Sequence, residues 1–89
     1  MYKVVISEAA ADFIRGQTKR IQRQLYKKIK SLGQNPRPPK SKKLEGEDNL
    51  YRIISGWYRI IYTIKNKELI VLVLRVAHRK EVYRRLPKA

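Results

Sequence analysis

Two arginines occupy places where strands rarely keep them. Arg59 lies inside the alternating run Trp57-Tyr58-Arg59-Ile60-Ile61-Tyr62-Thr63-Ile64, and Arg52 lies inside the preceding run over 50–54. Side chains along a strand alternate between its two faces. Tyr58, Ile60, Tyr62 and Ile64 make the better core face, which leaves Arg59 on the open one. Leu50, Arg52 and Ile54 share a side, so Arg52 can sit near Arg59. A planar guanidinium matches phosphate oxygens two at a time, and the pair therefore suggests a phosphate clamp. The pattern is equally consistent with solubility residues paired with Glu45, Glu47 or Asp48. Beyond the last apolar run, Ala77-His78-Arg79-Lys80-Glu81-Val82-Tyr83 brings an imidazole, a guanidinium and a phenol to the end of a strand. Imidazole titrates nearest neutrality and can move a proton, although a lone His or tail Tyr more often caps or packs down.

The rest of the inventory narrows the chemistry. The chain has no Cys, one His and seven scattered carboxylates, which leaves no thiolate, Fe–S or His-based metal site and no expected cofactor. It shows no Gly-rich phosphate loop, paired catalytic carboxylates or Ser/His/Asp set, so catalysis would have to use the basic groups themselves. Lys+Arg number 22 against 7 Asp+Glu, giving a net charge of +15. Charge of that size predicts a polyanion partner. Nucleic acid is favoured over a membrane surface, because no long basic helix carries a Trp/Phe/Leu face. Every charged residue from Lys19 to Lys43 is basic; Arg23, Lys27 and Lys30, with Lys42 and Lys43, are candidates for docking on an RNA backbone. The tyrosines permit base stacking: Tyr58 and Tyr62 are assigned to the core, Tyr26 to the helix–sheet seam, and Tyr83 to the exposed set. Neither a signal-peptide run nor a transmembrane stretch is visible, so a cytoplasmic protein is expected.

The elements that must position these residues read as follows. Eighty-nine residues, 43% of them hydrophobic, make one domain over 1–89 with a single modest core. A strand is expected at 2–6. Ser7 then caps a helix whose apolar face is Ala10, Phe13 and Ile14 and which Gly16 ends. Thr18 caps a second helix striped by Ile21, Leu25, Ile29 and Leu32. Gly33 and Asn35-Pro36-Arg37-Pro38-Pro39 stop it and force an extended loop through Lys43. Three strands follow at 50–54, 57–64 and 69–76, joined by tight turns at Ser55-Gly56 and 65–67. The last is apolar on both faces and belongs inside the sheet, which requires strand 2–6 beside it. The expected fold is α+β: a two-helix hairpin on one face of a mainly antiparallel four-stranded sheet, with a short C-terminal arm. The opposite face stays open, and function is expected there.

The segments Lys43-Leu44-Glu45-Gly46, Leu50-Tyr51-Arg52-Ile53, Gly56-Trp57-Tyr58-Arg59-Ile60-Ile61-Tyr62 and Arg75-Val76-Ala77-His78-Arg79-Lys80-Glu81-Val82-Tyr83 together resemble the RelE branch of the RelE/ParE toxin superfamily. The resemblance spans essentially the whole chain. It implies the toxin of a type II toxin–antitoxin system, acting as a ribosome-dependent endoribonuclease. Such a toxin enters the decoding A site, where a ribose 2′-hydroxyl of the messenger attacks the adjacent phosphate without a metal. By the same resemblance Arg52, Arg59, Arg79 and Tyr83 are the site residues, Arg59 and Arg79 facing the charge that develops on phosphorus. His78, beside Arg79, stands in as proton acceptor. Two positions depart from relatives: Ile54 replaces a second basic residue, and Lys42 and Lys43 stand where other branches keep a carboxylate. The implied partners are the ribosome with its messenger, a RelB-type antitoxin, and operator DNA through the antitoxin complex. The rival readings are a ParE-like gyrase poison and a noncatalytic RNA- or ribosome-binding protein.

Overall fold

The computed structural model describes residues 1–44 and 49–78. The alternating start forms β1 (Lys3–Ile6), and Ser7 turns the chain into α1 (Glu8–Arg15). The Ser7 hydroxyl accepts the Ala10 N–H at 3.1 Å, satisfying one of the helix's orphan donors. Thr18 does the same for Ile21 at the start of α2 (Lys19–Gln34). Ala10, Ile14, Leu25, Ile29 and Leu32 are buried, so the predicted apolar faces of both helices pack inward.

Gly33 does not stop α2; it lies buried in the last turn, and the cap falls at Asn35. Its role is close approach. A Cβ there would meet the Tyr2 carbonyl oxygen at 2.9 Å, and the Tyr2 N–H donates to the Gly33 carbonyl at 2.8 Å. A side chain would push β1 away from the helix. The Pro-bearing loop that follows is fastened to the sheet by tyrosines. Tyr62, fully buried, donates its hydroxyl to the Pro36 carbonyl at 2.7 Å, and burial pushes its pKa up, keeping that proton in place. Tyr51 stacks on Tyr62 with ring centroids 5.8 Å apart, and Arg37 donates to the Tyr51 hydroxyl from above the ring.

This anchorage delivers a strand that the sequence did not suggest. Lys42–Lys43 is not loop but β2, antiparallel to β3 (Leu50–Ser55), so the sheet has five strands and not four. Two lysines suit an edge strand, since charge there discourages further pairing. β4 (Tyr58–Lys65) and β5 (Ile70–His78) complete the order β1-β5-β4-β3-β2, with β1 parallel to β5 and every other pair antiparallel. The β3–β4 turn falls one residue later than expected, on Gly56-Trp57, where Gly56 takes the positive φ of 64° that the first place of a two-residue hairpin loop demands. The last strand also runs two residues further than the expected 69–76, so that Ala77 and His78 belong to it.

Both helices lie on one face, above Ile53, Ile60, Tyr62, Ile64, Val71, Val73 and Val76. Strict alternation breaks once. Ile61 pairs with Arg75 but Tyr62 pairs with Val73, which makes Leu74 the extra residue of a β-bulge. Its carbonyl is not wasted: the Ser7 hydroxyl donates to it at 2.8 Å while also capping α1. Ser7 therefore has a duty that Thr18 lacks. Ser7→Ala is expected to lower the unfolding free energy by more than Thr18→Ala, about 1 kcal/mol for the lost cap and roughly 1 kcal/mol or more for the Leu74 carbonyl. Urea unfolding of the two variants side by side measures the difference.

Candidate nucleic-acid interface

Cross-strand register fixes which residues share the face away from the helices. Lys42 pairs with Arg52, Arg52 with Ile61, and Ile61 with Arg75, giving one row across β2, β3, β4 and β5. The next row is Ile54, Arg59 and Ala77. Directly opposed residues lie about 5 Å apart and diagonal ones about 7–8 Å. Arg59 thus has Arg52 diagonal to it on one side and Arg75 on the other. No acidic residue occurs in any of the five strands.

Arg59 is on the expected face but is not open to solvent. It is only 5% exposed, in the middle strand of the five, and is engaged in further interactions within the protein. The expectation of a surface cation is corrected to that of a buried one. An enclosed guanidinium is a fixed donor, its strength undiminished by bulk water. Arg52 is half-buried, Lys42 and Arg75 are exposed, and Ile54, in the place of a second basic residue, is 47% exposed.

Arg75 was missed by the sequence reading. Counting by twos from the buried Val71 and Val73 puts it on the helix-covered layer. The bulge at Leu74 reverses the phase, so Arg75 goes out and Val76 goes in. A guanidinium within an otherwise aliphatic strand was the available signal.

The other candidates separate from this face. Lys43 pairs with Tyr51 and belongs to the helix side of β2. Arg23, Lys27 and Lys30 are exposed on α2, on the layer opposite the arginine row, and Lys27 also lines a shallow cavity of about 270 Å³ with Gln24, Lys28, Ser31 and Ser55. Tyr26 is 41% exposed, not buried at the seam. His78 pairs with Tyr58 and shares its face, the helix-covered one. Its ring meets the Tyr58 ring edge-on at 5.4 Å, and Tyr58 in turn contacts Phe13 and donates to Gln17. The structure therefore brings Arg52 and Arg59 together and sets His78 on the far side of the sheet from them. Arg79 and Tyr83, with Glu45, Glu47 and Asp48, lie outside the described residues; Arg79 is the next residue in the chain after β5. Among the described residues no helix is long and apolar enough to cross a membrane.

The sequence profile of the ParE toxin of type II toxin–antitoxin systems matches residues 6–83. The chain is similar to solved structures of RelE proteins. Against the archaeal RelE–RelB complex of Pyrococcus horikoshii it is 28% identical, covering 88% of this chain and 94% of that one with a TM-score of 0.78. Against the intact E. coli RelBE toxin–antitoxin complex the figures are 28%, 88%, 96% and 0.75. Against the isolated E. coli RelE toxin they are 25%, 98%, 100% and 0.76. No curated protein matches the sequence.

The placement of His78 has a measurable consequence. His78→Ala removes an aromatic partner of Tyr58 and is expected to cost about 0.5–1.5 kcal/mol of stability. That loss should be only part of the cost of Tyr58→Ala, which also strips the Phe13 contact and the Gln17 hydrogen bond. A double-mutant cycle in urea measures the coupling, which would be near zero for a His78 that does not touch Tyr58.

Proposed function

Because the chain belongs to the ParE toxin family of type II toxin–antitoxin systems, within the RelE/ParE superfamily, we propose that it is a RelE-type endoribonuclease that cuts messenger RNA in the A site of the translating ribosome. The observation that carries this reading is the juxtaposition of Arg52 and Arg59 on the sheet face that the helices leave uncovered. Likeness to RelE structures over nearly the whole chain supports it.

In this mechanism the ribose 2′-oxygen bonds to the adjacent phosphorus and the bond to the 5′-oxygen breaks. The products are a 2′,3′-cyclic phosphate and a 5′-hydroxyl, with the 2′ proton lost to a base and one proton gained by the leaving oxygen. Negative charge builds on the phosphoryl oxygens; Arg59 supplies a fixed donor to it, and Arg79, the residue after β5, adds a second guanidinium. Arg52 holds the phosphate in place. Tyr83 orients the ribose or stacks on its base. His78 supports the site through Tyr58 and does not act as the base. The ribosome supplies the in-line geometry of nucleophile and phosphate. The lysines and arginine of the helix layer, Arg23, Lys27 and Lys30, dock on a second stretch of RNA backbone. A RelB-type antitoxin, acidic enough to mask the basic surface, is the cognate partner, and the site of action is the cytoplasm.

The match to the ParE branch leaves a second reading, poisoning of DNA gyrase without nuclease activity. One experiment separates the two. Purified protein is added to translating ribosomes and messenger ends are mapped, with and without chelator. Codon-specific cuts that persist in chelator are expected, with Arg59→Ala lowering the cleavage rate about 10²–10³-fold and Tyr83→Phe lowering it as well. His78→Ala is expected to leave the rate within about tenfold, whereas loss of a general base would cost roughly 10²–10⁴-fold. Intact messenger together with gyrase-dependent DNA breaks would select the gyrase reading.

A further inference from the structure

The nuclease reading uses Arg52 and Arg59 but leaves the third arginine of the same face without work. Arg75 is exposed in the interior of β5, one strand from the middle of the sheet. Nothing about strand formation asks for it there, since strands favour β-branched and aromatic residues. Its orientation depends on a bulge, and bulges recur where a side chain must be re-aimed beside a site. That bulge is secured by Ser7, whose hydroxyl donates to Leu74 O and whose N–H donates to Val73 O at 2.9 Å.

We propose that Lys42, Arg52 and Arg75 form a binding track for the sugar-phosphate backbone of single-stranded RNA, crossing the strands from β2 to β5, with Arg75 as a positioning residue on the β5 side of Arg59. The inference rests on the nuclease reading for its substrate class. Its geometry comes from the register alone: adjacent strands are about 4.8 Å apart, so Arg52 and Arg75 are separated by roughly 10 Å and Lys42 extends the row by one strand more. Ile61, half-buried between the two arginines, gives the row an apolar floor. Arg59 sits one row away and diagonal to both arginines, which sets it at the middle of the track rather than at an end. Like charges each held within about one Debye length of the next at 0.1 M salt, on strands that carry no acidic residue, are complementary to a chain of evenly spaced anions. A phosphate held on each side of the reacting one fixes the messenger against sliding, which is the positioning the chemical step needs.

The test is direct binding of a 2′-O-methylated single-stranded RNA, which cannot be cleaved, followed by fluorescence anisotropy over a range of salt concentrations. Each phosphate contact contributes about 0.7 to the slope of log affinity against log salt for a single strand. Arg75→Ala should lower that slope by about 0.7 and Arg52→Ala/Arg75→Ala by about 1.4. Arg75→Lys should keep it, and Lys67→Ala, in the exposed turn between β4 and β5, should leave it unchanged. On translating ribosomes, Arg75→Ala should raise the KM for cleavage more than it lowers kcat. An unaltered salt slope in Arg75→Ala overturns the track. So does an unaltered slope combined with weakened binding of a glutamate-rich peptide, which would assign the row to a protein partner. Wild-type protein that binds RNA with the full slope but leaves messenger intact would count against the nuclease reading and not against the track.

Discussion

One hydroxyl joins the two halves of this molecule. Ser7 Oγ accepts the amide that opens α1 and donates to the carbonyl that the β5 bulge would otherwise leave idle. Because the same group does both, the start of the first helix and the phase of the last strand are set together. The phase matters more than the hydrogen bonds. If the bulge were absent, the strand beyond Val73 would present its opposite faces. Arg75 would then turn into the apolar layer beneath the helices and Val76 into solvent. A guanidinium buried there without a partner costs far more than a hydrogen bond contributes, so burial and Ser7 hold the same register.

Two helices can cover one face of a five-stranded sheet, and the remaining face carries Lys42, Arg52, Arg59 and Arg75. With a net charge of +15 the chain repels itself, and compactness is maintained by the core in spite of that repulsion. The core does so with ordinary means: aliphatic side chains from both helices against the covered face, and a buried tyrosine that fastens the Pro-bearing loop. That fastening also brings Lys42 to the edge of the arginine row. The core and the proposed RNA-binding surface are thereby placed on opposite faces of the same strands, and alternation keeps them apart.

Strand alternation and helical periodicity were legible in the sequence, and so were both capped helices, the apolar stripe of α2, the place of the first strand beside the last, and the shared face of Arg52 and Arg59; that the first strand runs parallel to the last was not. What was not legible depends on contacts distant in sequence. β2 exists because Tyr62 and Tyr51 hold the loop from Pro36 onward against the sheet. Nothing in the residues Lys42 and Lys43 announces a strand. Gly33 reads as a helix stop by composition, yet its missing side chain answers to Tyr2 on another element. Arg75 was lost to a bulge whose stabilising hydroxyl lies 67 residues away. His78 was grouped with the arginines because it neighbours Arg79 in sequence; pairing with Tyr58 puts it on the other layer.

For the RNA cleavage proposed above, that last separation divides the chemistry. Charge stabilisation needs donors that are fixed before the reaction begins, and a sheet provides them well: Arg59 is enclosed, and its neighbours are set by register on both sides. Proton transfer needs something different, a group of suitable pKa within hydrogen-bond reach of the 2′-hydroxyl. The described strands offer no carboxylate for this, and their one imidazole faces away. A rigid face of guanidinium groups can nonetheless lower the barrier without a strong base. By neutralising the phosphate it makes phosphorus more open to attack, and by stabilising an anionic transition state it favours loss of the 2′ proton to whatever acceptor the bound messenger and its surroundings present. On this argument the fold commits its rigid part to electrostatics and leaves the proton to groups outside the sheet.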